Sequence, residues 1–383
     1  MIPNRLAVRH LRARPLRSAL TAGAIALSAG LMGFLLVLTN ALEQDWSPYM
    51  GQRAIVMAKT SFFEKLPMAY LPKLEETPGV LDVTPFDFLM AFWHDTRPEN
   101  QVPVSGTDVE SFLKVYVEAK IPTDQVEEWK KDPTGAVIGP VLANKFGWKV
   151  GQRLVLKAPV RGGVLETTVR GIMEYKLDNG VYLHRRYFGQ ATGDEGRVAM
   201  FWIMAKSRDD VAPLTAAIDR NFENAPYPIR AMSEKQWQLM FMQMLGNVKA
   251  LIGSIGLATA FALLLITSNT LAMAARERRS ETAVLRVLGF SQGSVLRVLL
   301  VEASAYGVLG AGFGVGLMAL FSRAVGQALD KTQLAGMGAL LVPDAGTVLF
   351  VVAAALLLAV GAGIVPAFNL SRRPIVQLLR ETA

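Results

Sequence analysis

Four stretches of this chain contain no Asp, Glu, Lys or Arg: Ser18–Leu42 and residues 250–275, 303–322 and 345–371. A helix rises about 1.5 Å per residue, so roughly 20 apolar residues cross about 30 Å of hydrocarbon, and each stretch meets that length. A buried soluble helix would account for one of them. Four in one chain describe a multi-pass membrane protein with four transmembrane helices. Composition agrees: 51% of residues are hydrophobic, mean hydropathy is +0.30, and 19% are charged where a soluble domain averages about 25%.

Charge placement sets an expected orientation. Between Glu43 and Val248 lie 24 Lys/Arg and 26 Asp/Glu, a net charge of −2, so the +8 of the whole chain resides elsewhere. Arg5, Arg9, Arg12, Arg14 and Arg17 precede the first span. Arg276, Arg278, Arg279, Arg286 and Arg297 lie between the second and third, and Arg372, Arg373 and Arg380 follow the fourth. The positive-inside rule then places both termini and the central loop in the cytoplasm. The pI near 9.6 reflects this topology and not nucleic-acid binding, because the large domain shows no basic patch interleaved with aromatics. The N-terminal apolar run exceeds the 7–15 residues of a signal-peptide core, and Thr39-Asn40-Ala41 is a poor cleavage site, so the first span is expected to be retained. Cysteine is absent, which excludes disulfides, Cys-ligated zinc and thiol chemistry.

The expected organisation follows. Residues 1–17 form a cytoplasmic amphipathic helix, or alternatively a basic tail. Residues 18–42 are the first span, 43–244 a large α+β periplasmic domain, and 245–275 the second span. Residues 276–297 are a cytoplasmic segment, 298–322 the third span, 323–344 a short periplasmic loop, 345–368 the fourth span, and 369–383 a cytoplasmic tail. Trp46, Tyr49, Trp237 and Phe241 place both ends of the large domain at headgroup level. Within that domain, strands are expected at 54–58, 80–84, 102–105, 136–138, 153–156, 167–171, 198–205 and 229–232. Helices are expected at 70–76, at 140–146 with Gly147 as its cap, and from Ser207 to about Phe222 with Val211, Leu214, Ile218 and Phe222 inward. The β-α-β…β-α-β order suggests a split unit, about 50–95 and 195–235, with an insertion at about 97–190.

Signals for enzymatic chemistry are sparse. The sequence holds no G-x-x-x-x-G-K-[ST] phosphate loop, and His10, His94 and His184 lack metal-ligand spacing, so neither a metal nor a cofactor is expected in this chain. Gly289-Phe290-Ser291-Gln292-Gly293 fits the G-x-S-x-G nucleophile elbow, but that motif needs a strand before the serine, and residues 282–288 have a helical pattern. Gly289 reads better as a helix C-cap and Ser291 as the next N-cap. A hydrolase acting through Ser291 is thereby disfavoured. Gly310, Gly312, Gly314 and Gly316 give small-xxx-small spacings that allow close helix packing, within the bundle or at a dimer face. Residues 276–300 combine charge with Val284, Leu285, Val287 and Leu288. They read as a short amphipathic helix joined to two spans, able to transmit force from a cytoplasmic partner, or as a surface turn.

The pattern R-x-x-E-x-x-x-L-R-x-L-G, present as Arg278, Glu281, Leu285, Arg286, Leu288 and Gly289, resembles the coupling-helix motif of FtsX/MacB-type ABC transporter permeases, which include MacB, LolC and DevC-like permeases. Further similarity runs along the chain: the basic N-terminal segment, Leu74 to Val80, Ile138 to Ala143, Val150 to Leu154, and Pro366-Ala367 followed by Ser371-Arg372, Pro374 and Leu378-Leu379-Arg380. The resemblance implies a dimer, with an identical or related second permease, in which each chain binds a separate cytoplasmic ATPase that holds the ATP and Mg. It implies mechanotransmission from that ATPase to the periplasmic domains, in the service of export or of lipoprotein, glycolipid or small-molecule extrusion, and a non-catalytic role for this subunit. Carried over, Arg278, Glu281, Thr282, Leu285, Arg286, Leu288 and Gly289 form the ATPase-coupling site, with Glu281 and Arg286 as polar contacts and Leu285 and Leu288 filling a groove. A periplasmic adaptor and an outer-membrane channel are further implied partners. An FtsX-like regulator of a cell-wall hydrolase is the alternative within the family, and a passive membrane receptor or anchor the alternative outside it.

Overall fold

Hydrocarbon offers a backbone no hydrogen-bonding partner but itself, so long uncharged runs become helices. The computed structural model describes residues 15–45, 47–159, 163–244, 248–277, 279–330, 332 and 336–371; the readings made on residues 1–14, Trp46, Arg278 and 372–383 lie outside it. Four long helices cover Pro15–Glu43, Val248–Glu277, Gln292–Leu329 and Ala345–Ser371. Within them, Ser18–Leu42, Ala250–Thr270, Gln292–Leu329 and Ala345–Asn369 are long and apolar enough to cross a membrane. The third helix has 38 residues, roughly 57 Å at 1.5 Å per residue, and so outruns the hydrocarbon by a wide margin. The chain divides into two compact units: the helical one, Met1–Glu43 with Asn247–Val325 and Leu341–Ala383, and an inserted one, Gln44–Gly246 with Gly326–Leu340.

In the helical unit, small residues let backbones approach where lipid supplies no hydrophobic drive. Gly310 and Gly314 face the first span. A Cβ on Gly310 would lie 2.5 Å from Ile25 Cγ2, and one on Gly314 would lie 3.2 Å from the Ala26 carbonyl oxygen. Gly30 closes the same contact, its own Cβ position being 2.9 Å from the Gly314 carbonyl oxygen. Gly312 and Gly316, half a turn away, have nothing within 4 Å. The four glycines thus belong to two faces, one occupied by the first span and one open. Ser18 Oγ and Tyr306 Oη, 3.2 Å apart, add a polar tie between these two helices, and Tyr306 donates to the buried Glu302 at 3.3 Å.

The inserted unit is α+β. Its strands are β1 (Arg53–Ala58), β2 (Leu66–Pro67), β3 (Val80–Trp93), β4 (Gln101–Thr107), β5 (Gly135–Ile138) and β6 (Arg153–Ala158), followed by β7 (Gly163–Ile172), β8 (Val181–His184), β9 (Arg197–Val198), β10 (Met200–Ala205) and β11 (Ile229–Ser233). One sheet runs β11-β1-β10-β3-β4-β8-β5-β7-β6, and β6 pairs back onto β3. The order has a simple reading. β11, β1, β10 and the first half of β3 are mutually antiparallel and carry the helices Leu71–Glu75 and Val211–Asn221, a split β-α-β unit. The second half of β3 then joins β4, β8, β5, β7 and β6 in a small closed barrel, which leaves no free edge there.

Both cores follow strand alternation. Ala54, Val56, Phe201 and Ile203 pack under Leu214, Ile218 and Phe222 of the helix Val211–Asn221 and its cap. Leu89, Ala91, Val102, Val104, Leu154 and Leu165 fill the barrel with Trp148 and Phe188. That helix begins at Val211 and not at Ser207; Ser207 Oγ donates to Asp210 Oδ2 at 2.7 Å in the turn before it. β3 extends nine residues past the expected end at Thr84, because Pro85 sits where the strand passes from open sheet to barrel while Leu89, Ala91 and Trp93 keep the period of two. The strand β8 and the helices Val109–Val115, Thr123–Lys131 and Arg185–Thr192 are absent from the sequence reading.

The two glycine faces make a direct prediction. Gly310→Val overpacks against Ile25 and lowers stability by about 1–3 kcal/mol, whereas Gly312→Val changes it by less than about 0.5 kcal/mol. Thermal unfolding of the two detergent-solubilised variants separates these outcomes.

Candidate functional site

The segment between the second and third spans is a helix, a turn and a second helix. Arg279–Val287 is helical, Gly289 has a φ of +91°, and Gln292 begins the long third helix. A positive φ is tolerated by glycine, and the Gly289 N–H donates to the Arg286 carbonyl at 3.2 Å, closing the helix end. Ser291 Oγ accepts the Ser294 N–H at 3.2 Å as an N-cap. A helix and a turn precede Ser291, so the geometry of a nucleophile elbow is missing.

One side of this helix is covered and another is bare. Thr282 and Ala283 are buried, while Val284 is 56% exposed, Val287 61% and Leu288 69%. Val284 and Val287 on this helix and Leu288 just after it form an apolar patch that nothing among the described residues covers, suited to a partner or to the membrane surface. Arg286 is half-buried, and its Nε makes no hydrogen bond among the described residues. Arg278 and the side chains of Glu281 and Leu285 lie outside the described residues.

A second constellation, in the inserted unit, carries no sequence motif. Arg53 opens β1, and its side chain is 1% exposed. Its Nε donates to Glu234 Oε2 at 2.7 Å and its Nη2 to Glu234 Oε1 at 2.9 Å, a bidentate fork. Nη1 donates to Glu118 Oε2 at 2.9 Å and to the Val115 carbonyl at 3.3 Å. Ser47 Oγ donates to Glu118 Oε1 at 2.5 Å, and the Tyr116 ring lies 4.7 Å from the guanidinium carbon. A charge this deep persists because every donor group has an acceptor. Arg53, Glu118 and Glu234 are far apart in the chain, so no spacing rule reveals them. The available signal was an arginine at the head of an otherwise apolar strand.

These groups line a pocket of about 460 Å³, together with Tyr175, Asp178 and Trp237. Burial pushes the Asp178 carboxyl up to about 6, against hydrogen bonds from Tyr182 Oη at 2.7 Å and the Gly180 N–H at 2.9 Å, and the Glu118 charge pushes the same way as burial. Burial likewise raises the Tyr175 phenol to about 12. Of the histidines, His184 Nε2 lies 2.7 Å from the Trp129 carbonyl oxygen, His94 stacks beside Trp93, and His10 lies outside the described residues. Among the described residues, no three His, Asp or Glu stand together as a metal would need.

Four apolar helices with a large α+β domain inserted between the first and second define a multi-pass membrane protein of the permease class. The model of the MacB-like periplasmic core domain matches residues 18–221, more than half the chain, and that of the FtsX-like permease C-terminal region matches residues 253–375. The chain belongs to the FtsX/MacB-type family of ABC transporter permeases, whose members are generally non-catalytic components working with a cytoplasmic ATPase. Among solved structures, the extracellular domain of the noncanonic ABC-type transporter YknZ from Gram-positive bacteria is 13% identical, with a TM-score of 0.37, covering 47% of this chain and 99% of that one. The periplasmic region of MacB from Actinobacillus actinomycetemcomitans is 10% identical, with a TM-score of 0.35, covering 53% and 97%. A domain of a putative permease from Porphyromonas gingivalis is 14% identical, with a TM-score of 0.31, covering 48% and 90%. No curated protein matches the chain in sequence.

The raised Asp178 value fixes a pH signature. The folded chain takes up a proton here as pH falls through about 6, whereas an unfolded carboxyl waits until about 4, so this group's charged form destabilises the fold above pH 6. Asp178→Asn removes that cost. Its unfolding midpoint, compared with wild type from pH 4 to pH 7, is expected to start equal and rise above wild type until about pH 6, then run parallel. A difference that shrinks with rising pH would contradict the assignment.

Proposed function

We propose that this chain is the membrane subunit of an ABC system that converts ATP hydrolysis by a separate cytoplasmic ATPase into movement of the inserted domain, outside the cytoplasm, for export or for extrusion of a lipoprotein, glycolipid or small molecule. The observation that carries the reading is the exposed apolar face of Val284, Val287 and Leu288 on a short helix joined to two spans. From Gln292 a single helix of 38 residues continues, and an unbroken helix transmits displacement along its axis without a hinge. In this reading ATP and Mg are held by the partner, and the lack of a phosphate-binding loop in the sequence given is in keeping with that.

Arginine clusters beside the spans orient this helix and both termini toward the cytoplasm of the inner membrane. In this reading Leu288, with Leu285, enters a groove on the ATPase. Glu281 and Arg286 make the polar contacts. Arg278, Thr282 and Gly289 complete the segment. A second permease, identical or related, pairs with this one, and the open Gly312 and Gly316 face suits such a neighbour. A periplasmic adaptor and an outer-membrane channel complete the assembly.

Contact residues at the centre of such a patch dominate its affinity. Glu281→Lys and Leu288→Asp are each expected to lower co-purification of the ATPase at least about tenfold, while the chain remains folded in detergent. Undiminished co-purification by both variants would overturn the coupling assignment.

A further inference from the structure

The pocket beside Arg53 holds more negative than positive charge. The side chains of Glu118 and Glu234 are 6% and 7% exposed, and both bind the single guanidinium of Arg53. Asp178 adds a third carboxyl, and among the described residues lining the pocket no second cation faces them. Net charge held away from water without a counter-ion is costly. Ser47 and Asn179 are the remaining polar side chains of the lining, and most of the rest is aromatic or apolar: Tyr116, Tyr175 and Trp237 on the one hand, Leu177, Met337 and Leu340 on the other. Aromatic faces attract cations, most strongly where water is excluded.

We infer that this pocket is a binding site for an organic monocation, a protonated or quaternary amine carrying an apolar body. The amine supplies one of the two positive charges by which Arg53 falls short of the three carboxyls, and the apolar body meets the leucines and Met337. A volume of about 460 Å³ lies in the range of small-molecule sites, roughly 300–1,000 Å³. A bare metal ion fits poorly, because the oxygens of Glu118 and Glu234 are turned on Arg53.

The origin of the walls gives the site its meaning. Ser47 follows the first span's helix, which ends at Glu43; Trp237 belongs to the helix Glu234–Met244, which precedes the second span. Gly336, Met337 and Leu340 belong to the link between the third and fourth. That link is held to the inserted unit: Lys145 Nζ donates to the Thr332 carbonyl at 3.1 Å, and a Cβ on Gly336 would stand 3.0 Å from Val141 Cγ2. Each span is therefore joined to a wall of the pocket by a short run of chain, along which movement of the spans would be passed on. This last link rests on the proposed mechanotransmission; the binding itself does not.

The test uses the full chain in lipid nanodiscs, without ATPase or nucleotide, titrated calorimetrically with benzyltriethylammonium. N,N-diethylbenzamide, neutral and of similar shape, and benzenesulfonate, an anion, serve as controls. The ammonium probe is expected to bind saturably and the controls not at all. Asp178→Asn, which keeps the shape of the side chain, weakens binding about tenfold or more, and Met337→Trp, which fills the pocket, abolishes it. Equal binding of the neutral probe, no saturable binding of the cation, or wild-type affinity in both variants would overturn the inference. If a variant fails to fold, the comparison of the three probes on the wild-type chain still decides. Because no ATPase is present, failure here leaves the coupling proposal untouched, and failure of coupling leaves this site standing.

Discussion

Hydrocarbon decides most of this structure. A backbone inside it must satisfy itself, so the four uncharged runs are helices, and whatever this chain does must pass through the short segments that join them. Those segments are unequal. One is the inserted α+β unit, one is the link 326–340 that packs with that unit, and one is the helix-turn-helix of residues 279–291. An apolar patch stands on the last of these, and a charged pocket lies within the inserted unit.

The inserted unit resolves two competing demands. It must present a polar exterior, and it must hold shape while its chain ends are tied to apolar helices. The split β-α-β sheet and the barrel share β3, so strain entering at one end of that strand meets a continuous ladder of hydrogen bonds. Arg53 fixes the junction further. It opens β1, binds Glu234 beyond β11 and binds Glu118 in the segment after the helix Val109–Val115, joining three parts of the unit through one guanidinium. Its planar fork satisfies two carboxylates at once, which a lysine cannot do. Hydrophobic packing alone would bind these parts as strongly, but it would leave no charge facing the pocket.

The spans, their number and the α+β character of the insertion were legible because each rests on a local pattern: absence of charge over 20 residues, or alternation over five. The helix carrying Val211, Leu214, Ile218 and Phe222 was legible for the same reason. What the sequence hid was whatever depends on distant residues meeting. Closure of the barrel needs β6 to find β3, and nothing in Leu156 or Trp93 announces it. The pocket needs Ser47, Glu118, Asp178 and Met337 together. The glycines are a third case: Gly310 with Gly314 and Gly312 with Gly316 share one spacing, yet only the first pair meets the first span. A period gives the faces of a helix, and the fold alone says which face is taken.

The proposed coupling requires the helix after the second span to face the cytoplasm and to be gripped there by an ATPase. The chain has no cysteine, so one introduced thiol reports on one place. Leu288→Cys and Phe63→Cys, both at exposed positions, can be treated with a membrane-impermeant maleimide in spheroplasts and again after permeabilisation. Residue 63 is expected to label at once and residue 288 only after permeabilisation, with bound ATPase protecting it. Labelling of residue 288 from outside, or labelling that the ATPase leaves unchanged, would contradict it.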